Sequence, residues 1–359
     1  MSTYGTTRHH PSQPPPSRVS TDYHTTLFRR LVWEGAVPLE IRVDPKELPA
    51  NSDRGLECYF MQAPRVSYLP LLMPEIRRFL MDVVFDEAAA KNLKEEDWWF
   101  ETEEGTLLKW HWSIGLIYDN HTISASVRVP SQAHSMSTPL RLILHLASPP
   151  TEKLLLSPSA ESCKQAFMGQ LKEADFIRWG NTKRITGLRK AEQDGLWEGI
   201  KDHNFDDFWR VASKVMPIVP STRSQSPPPA SMHSRPPSAD NTAVPDRDGA
   251  YNVRSVPVRV YLPDGPVLQE LIPPILEDGT LNTLSHFLTT HLPLLFPQRP
   301  PAPPPSRTNP NPQAPPAPEL AFPLIQGVLT PPDSEVAWLG ACLAGADGWL
   351  NICIGVSRG

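Results

Sequence analysis

The chain has 359 residues, a formal net charge of -5 and a pI near 6.1. That length accommodates two or three ordinary domains. The absence of a sustained basic stripe argues against a nucleic-acid partner, and no apolar run approaches the ~20 residues of a membrane-spanning helix.

The N-terminus is polar and proline-rich, without the apolar core of a secretion signal. The 43 prolines are clustered. Residues 1–21, 217–250 and 293–318 hold most of them, and these segments lack the apolar surface that offsets chain entropy. They read as a disordered tail, a disordered linker and a disordered insertion. The four cysteines, Cys58, Cys163, Cys342 and Cys353, form no CxxC and sit in apolar patterns. Buried free thiols in a reducing compartment are the simplest reading.

The first folded unit spans residues 22–150. Val37, Leu39, Ile41 and Val43 alternate with other residues, as in a half-buried strand. Residues 58–72 read as a second strand with a proline-broken end. Pro74 is expected to open a helix whose stripe is Ile76, Phe79, Leu80, Val83 and Val84. Residues 110–118 and 140–146 read as further strands.

Residues 151–216 are helical in pattern. With Phe167 at the centre of the first apolar face, Cys163, Leu171 and Ala174 fall within about 40° of it at 100° per residue. Lys172 lands on roughly the opposite side. Lys164 sits about 60° from the stripe centre, at the boundary of the buried face. An exposed lysine is ordinarily only a solvated charge.

The last unit spans residues 251–356. Residues 254–262 alternate, Pro263-Asp264-Gly265 signals a turn, and 267–275 returns as a second strand. Residues 280–292 read as a helix, 322–329 as a strand, 336–343 as a short helical turn and 349–356 as a closing strand. Patterning alone implies an α+β fold with a helix on one face of a mixed sheet in each end unit.

No nucleophile elbow, HExxH, Walker loop or GxGxxG is present. His111 and His145 fall in expected strands and read as packed or edge residues. Glu101, Glu103 and Glu104 read as a charged loop. Asp202, Asp206 and Asp207 lack the glycine and distal glutamate of a calcium loop, so they read as a solvated helix start. Neither a cofactor nor a metal site is expected.

The run Phe167-Met168-Gly169-Gln170-Leu171-Lys172-Glu173-Ala174-Asp175, with Asn204-Phe205-Asp206-Asp207-Phe208-Trp209, resembles the central signature of the autophagy protein 5 family, in a fungal-type sequence. Val32 to Leu39, Ile114 to Asp119, Val336 to Leu339 and Asp347 to Ile352 extend the resemblance over most of the chain outside its proline-rich parts. Leu140 departs from it, since a tryptophan is expected beside Pro139. The resemblance implies two ubiquitin-like β-grasp domains flanking a helix-rich middle domain, with the proline-rich insertions outside them. It also implies a noncatalytic scaffold subunit of a ligase-like complex, cytoplasmic and peripheral at the preautophagosomal membrane. Lys172 is then the acceptor of an isopeptide bond to autophagy ubiquitin-like modifier 12, delivered by a conjugating enzyme. A helix of autophagy protein 16 is the noncovalent partner, held in a groove to which Trp33, Val37 and Leu39 are expected to contribute. The complex promotes transfer of ubiquitin-like protein 8 to phosphatidylethanolamine in autophagosome formation. Glu173 and Asp175 lie close to Lys172 and favour its charged form, so deprotonation falls to the conjugating enzyme. The competing reading is a noncovalent adaptor in which Lys172 is an ordinary surface residue.

Overall fold

The computed structural model describes residues 21–48, 58–85, 93–128, 139–154, 159–219, 249–263, 265–298 and 320–357. All but the last residue of the expected tail (1–21), most of the expected linker (217–250) and most of the expected insertion (293–318) lie outside the described residues, as does Asp264 of the expected turn.

A first helix, α1 (Thr21–Glu34), leads into β1 (Ala36–Val43), which pairs antiparallel with β2 (Tyr59–Pro64). Strand β1 is the hub of a four-stranded sheet ordered β2-β1-β4-β3, with β3 at Trp99–Thr102 and β4 at Leu140–His145. Strand β4 runs parallel to β1 with Leu140 beside Leu39, and β3 pairs antiparallel with β4. The expected alternation in β1 holds, since Val37, Leu39, Ile41 and Val43 are all buried. Helix α2 (Leu69–Phe79) crosses this sheet and buries Leu69, Leu72 and Ile76.

Two expectations in this unit are corrected. Strand β2 ends at Pro64 and α2 begins at Leu69, a turn before the expected opening at Pro74. The early proline is Pro70, whose fixed φ suits a first helical turn, and Pro74 lies inside the helix. Residues 110–118 do not form a strand: a turn precedes helix α3 (Ile114–Arg128). Its apolar residues serve two cores. Ile114 and Ile117 join the first unit's core, while Leu116 and Ile123 pack with Tyr261, Leu324 and Cys353 of the last unit. A helix buried on two faces loses the single apolar stripe that marks helices in sequence.

The middle is a helical bundle of α4 (Ala160–Trp179), α5 (Lys183–Thr186), α6 (Lys190–Lys201) and α7 (Phe205–Ala212). The last unit is a five-stranded sheet ordered β6-β5-β9-β7-β8. Its strands are β5 (Val256–Tyr261), β6 (Val267–Ile272), β7 (Ala321–Ile325), β8 (Val328–Leu329) and β9 (Leu350–Val356). Helix α8 (Leu284–His291) and the short α9 (Val336–Cys342) complete it. The β5–β6 hairpin, the helix, and β9 parallel to β5 repeat the arrangement of the first unit. The expected strand at 322–329 is split by Gln326 and Gly327, both at positive φ. With Ile325 opposite Val328, they form a two-residue hairpin turn.

Residues 293–298 of the expected insertion belong to the described residues. Leu295 and Phe296 pack against the last unit's core, and their backbone N–H groups bond to the Leu292 carbonyl. The described residues on either side of 220–248 meet, since Ala250 donates its N–H to the Ile218 carbonyl at 2.7 Å.

Candidate functional site

Helix α4 carries the residue that the sequence singles out. Its N-terminus is capped by the Ser159 hydroxyl, which accepts from the Ser162 N–H at 3.1 Å. Its C-terminus is closed by Gly180 in the left-handed region at φ 72°, where a side chain would be strained. Cys163, Phe167, Leu171 and Ala174 are buried, as the wheel geometry requires, and Lys172 is exposed on the other side. Phe176, one turn beyond Lys172, is exposed at 54%.

Among the described residues, Lys172 has no hydrogen-bond or ion-pair partner. The two neighbouring carboxylates are engaged elsewhere. Asp175 is buried, and its Oδ2 accepts from the Ile185 N–H at 3.2 Å. Burial pushes its carboxyl upward, opposed by that bond and by Arg178. Glu173 pairs with Arg259 at 3.4 Å. Neither therefore forms an ion pair with Lys172, although both stand beside it in sequence.

The other lysines of the bundle differ. Lys164 donates to Asp194 at 2.7 Å, and this bond raises its pKa. Lys201 pairs with Glu198 and Lys214 with Glu192. Lys183 and Lys190 are exposed near the turn into α6 rather than on α4.

The expected groove residues are placed elsewhere. Trp33, Val37 and Leu39 are 3%, 0% and 1% exposed. Trp33 lies between His203 and Phe208, with ring centroids at 5.8 and 4.7 Å, and belongs to the bundle core. Val37 and Leu39 occupy the inward positions of β1. The expected anchors are thus core side chains, because strand alternation and the aromatic cluster turn them away from solvent.

Other candidates resolve into structural contacts. Asp206 pairs with Arg30 and Asp207 with Arg210 at the start of α7. His145 ends β4, buried against Trp99 at 3.8 Å, with its ring nitrogens at 2.9 Å from Glu47 and 3.0 Å from Glu101. Among the described residues, Asp44, Glu47 and His145 are the one set whose donor atoms converge within 4.8 Å. Those atoms already bond to one another and to the Lys46 and Leu146 N–H groups. Glu101 lies in β3 rather than in a loop, and His111 lies in the turn before α3, where burial lowers its pKa. Three cysteines are buried as expected. Cys58 is only half-buried, since it sits at the start of the edge strand β2.

Sequence reasoning missed the contacts that hold α4 from outside the bundle. Arg259 in β5 and Trp349 before β9 both reach the turn carrying Lys172. Trp349 stands in a motif quoted above for its resemblance, but nothing local signals which element it meets.

Two β-grasp domains joined by a helical bundle, whose longest helix carries an exposed lysine, define a protein of ubiquitin-like fold. Comparison with known proteins specifies which. Three regional profiles of one family match: "Autophagy protein ATG5, UblA domain" over residues 32–146, the "alpha-helical bundle region" over 160–218, and the "UblB domain" over 255–354. Between them they take in most of the chain, which belongs to the autophagy protein 5 family. Autophagy protein 5 of Neosartorya fischeri is 28% identical, over 94% of this chain and 98% of its own length. That of Penicillium rubens is 29% identical, over 91% and 96%. The crystal structure of Kluyveromyces marxianus Atg5 superposes with a TM-score of 0.62 at 20% identity, over 91% of this chain and 99% of that one. Family membership assigns the protein to autophagy. No helix among the described residues is long and apolar enough to cross a membrane.

Proposed function

We propose that the chain is the noncatalytic scaffold subunit of a ligase-like autophagy complex, acylated on Lys172 by autophagy ubiquitin-like modifier 12. The neutral Nζ attacks the thioester carbonyl of the modifier's C-terminal glycine on the conjugating enzyme. A C–N amide bond forms and the C–S bond breaks. The enzyme's cysteine leaves as thiolate, and the amine proton passes to a base or to that thiolate. The conjugate, bound to a helix of autophagy protein 16, promotes transfer of ubiquitin-like protein 8 to phosphatidylethanolamine at the preautophagosomal membrane.

The observation that carries this reading is the state of Lys172: exposed, without a partner among the described residues, on a long helix whose opposite face is packed. A nucleophile on such a helix is held more closely than one on a loop. Free lysine has a pKa of about 10.4, so the conjugating enzyme must supply deprotonation or desolvation. Exposed Leu27, Phe28 and Leu31 on α1 offer apolar surface that a helical partner can cover.

The test is Lys172→Arg. Arginine keeps the charge and nearly all the helix propensity, but its guanidinium stays protonated and does not attack a thioester. The variant is expected to fold, to bind the partner helix and to form no conjugate. The wild-type conjugate is expected to carry its glycine remnant on Lys172 in mass spectrometry. A remnant on Lys164 or Lys183, or conjugation surviving the substitution, overturns the assignment. A cellular protein that shows no electrophoretic shift by a ubiquitin-like mass returns the noncovalent adaptor reading.

A further inference from the structure

The turn of α4 that carries Lys172 is gripped by the second ubiquitin-like domain. Trp349, 2% exposed, donates its indole N–H to the Gln170 carbonyl at 3.1 Å. The guanidinium of Arg259 lies over the Trp349 ring, 3.8 Å from its centroid. One of its nitrogens donates to Gln170 Oε1 at 2.9 Å, and the other reaches Glu173 at 3.4 Å. Asp347 closes the set at 4.0 Å from Arg259. Farther along the helix, the buried Arg178 donates to the Gly348 carbonyl. Gly348 has φ 84°, and a Cβ there would stand 3.1 Å from the Ala174 side chain. Residues 170, 173, 174 and 178 are thus all touched by 259 or by 347–349, while Lys172 projects from the same turn into solvent.

We propose that Arg259 and Trp349 are positioning residues for the acylation of Lys172, a role that rests on Lys172 being the acceptor. The second ubiquitin-like domain has no lysine of its own, yet it sets the rotation of the helix that presents one. Three features of the contact serve this role. The Trp349 N–H bonds to a helix carbonyl two residues before the acceptor, so it constrains backbone and not only a side chain. The planar fork of Arg259 spans Gln170 and Glu173 together, a reach that a lysine ammonium does not reproduce. The Glu173 carboxylate is turned to Arg259 and held there, leaving the face around Nζ open to an incoming thioester. Holding the amine within a narrow arc removes orientational freedom that the transfer step would otherwise have to overcome.

The test is single-turnover discharge of modifier thioester from the conjugating enzyme onto the full chain, at increasing chain concentration. Trp349→Phe keeps the ring packing and deletes the N–H. Arg259→Lys keeps the charge and deletes the fork. Both variants are expected to lower the maximal discharge rate on the order of tenfold, with half-saturation unchanged. Amide exchange over residues 170–176 is expected to speed up, while the melting midpoint of Trp349→Phe stays near that of the parent. An unchanged maximal rate in both variants, with the glycine remnant on Lys172, overturns the positioning role alone. So does a lowered melting midpoint with an unchanged rate per folded molecule. A parental remnant on another lysine overturns the acceptor assignment, and the positioning role with it.

Discussion

At the scale of single residues, environment decides which groups react. Lys164 and Lys172 share a helix, yet Lys164 is tied to Asp194 and Lys172 is not. The same reasoning orders the thiols. Burial pushes Cys163 up to about 12 and Cys342 to about 11, and it raises Cys353 as well. The thiolate is the reactive form, so these three are inert in the folded protein. Iodoacetamide at pH 8 is expected to alkylate Cys58 first, with the other three following only after unfolding. Peptide mapping checks this, and labelling of Cys163 at the Cys58 rate would contradict the buried placement. Lys172 was legible from the sequence because a helix wheel separates exposed from buried positions. The inward placement of Trp33 was not, because its burial depends on Phe205 and Phe208, far away in the chain.

At the scale of elements, close approach sets what a position tolerates. Gly199 in α6 faces the start of α7, and a Cβ there would lie 2.9–3.0 Å from the Phe208 Cβ, Cα and N atoms. Those include backbone atoms, so relief requires the helices to separate. Gly199→Ala is expected to destabilise the protein by about 1–3 kcal/mol despite alanine's better helix propensity. A urea midpoint equal to the parent's would show that the helix pair yields freely. Helix α3 teaches the complementary lesson. Its run of Ile114, Leu116 and Ile117 looked like a strand because both faces are apolar, and both are apolar because one serves each ubiquitin-like domain.

At the scale of the whole molecule, a buried ion pair of the first domain is tied to the last domain through one backbone N–H. Arg65, beyond β2, contacts Asp119 of α3 at 2.5 Å, and Asp119 also accepts the Gly327 N–H from the β7–β8 turn at 2.8 Å. Burial pushes the Asp119 carboxyl upward, against the pull of Arg65 and of that N–H. Removing one member leaves a buried charge without its counterpart. Asp119→Ala is expected to cost about 3–5 kcal/mol, and the double substitution Arg65→Met with Asp119→Leu to recover much of that loss. Denaturant titration of the single and double variants checks both. A double variant as unstable as the single one would show that the pair is needed for more than mutual neutralisation.

The sequence by itself determined the elements whose pattern is local. The alternation of β1, the apolar stripe of α4 and the solvent-facing Lys172 all follow from periods of 2 and 3.6 residues. The family signature, too, was readable in the FM…KEAD and NFDDFW blocks. Only the tertiary structure decided what depends on contacts between distant segments. It turned Trp33, Val37 and Leu39 into core residues, made a helix of 114–128, and brought Arg259 and Trp349 against the turn that carries Lys172 across 89 and 179 positions of chain. Side-chain periodicity reports which face of an element is buried, but not which other element buries it.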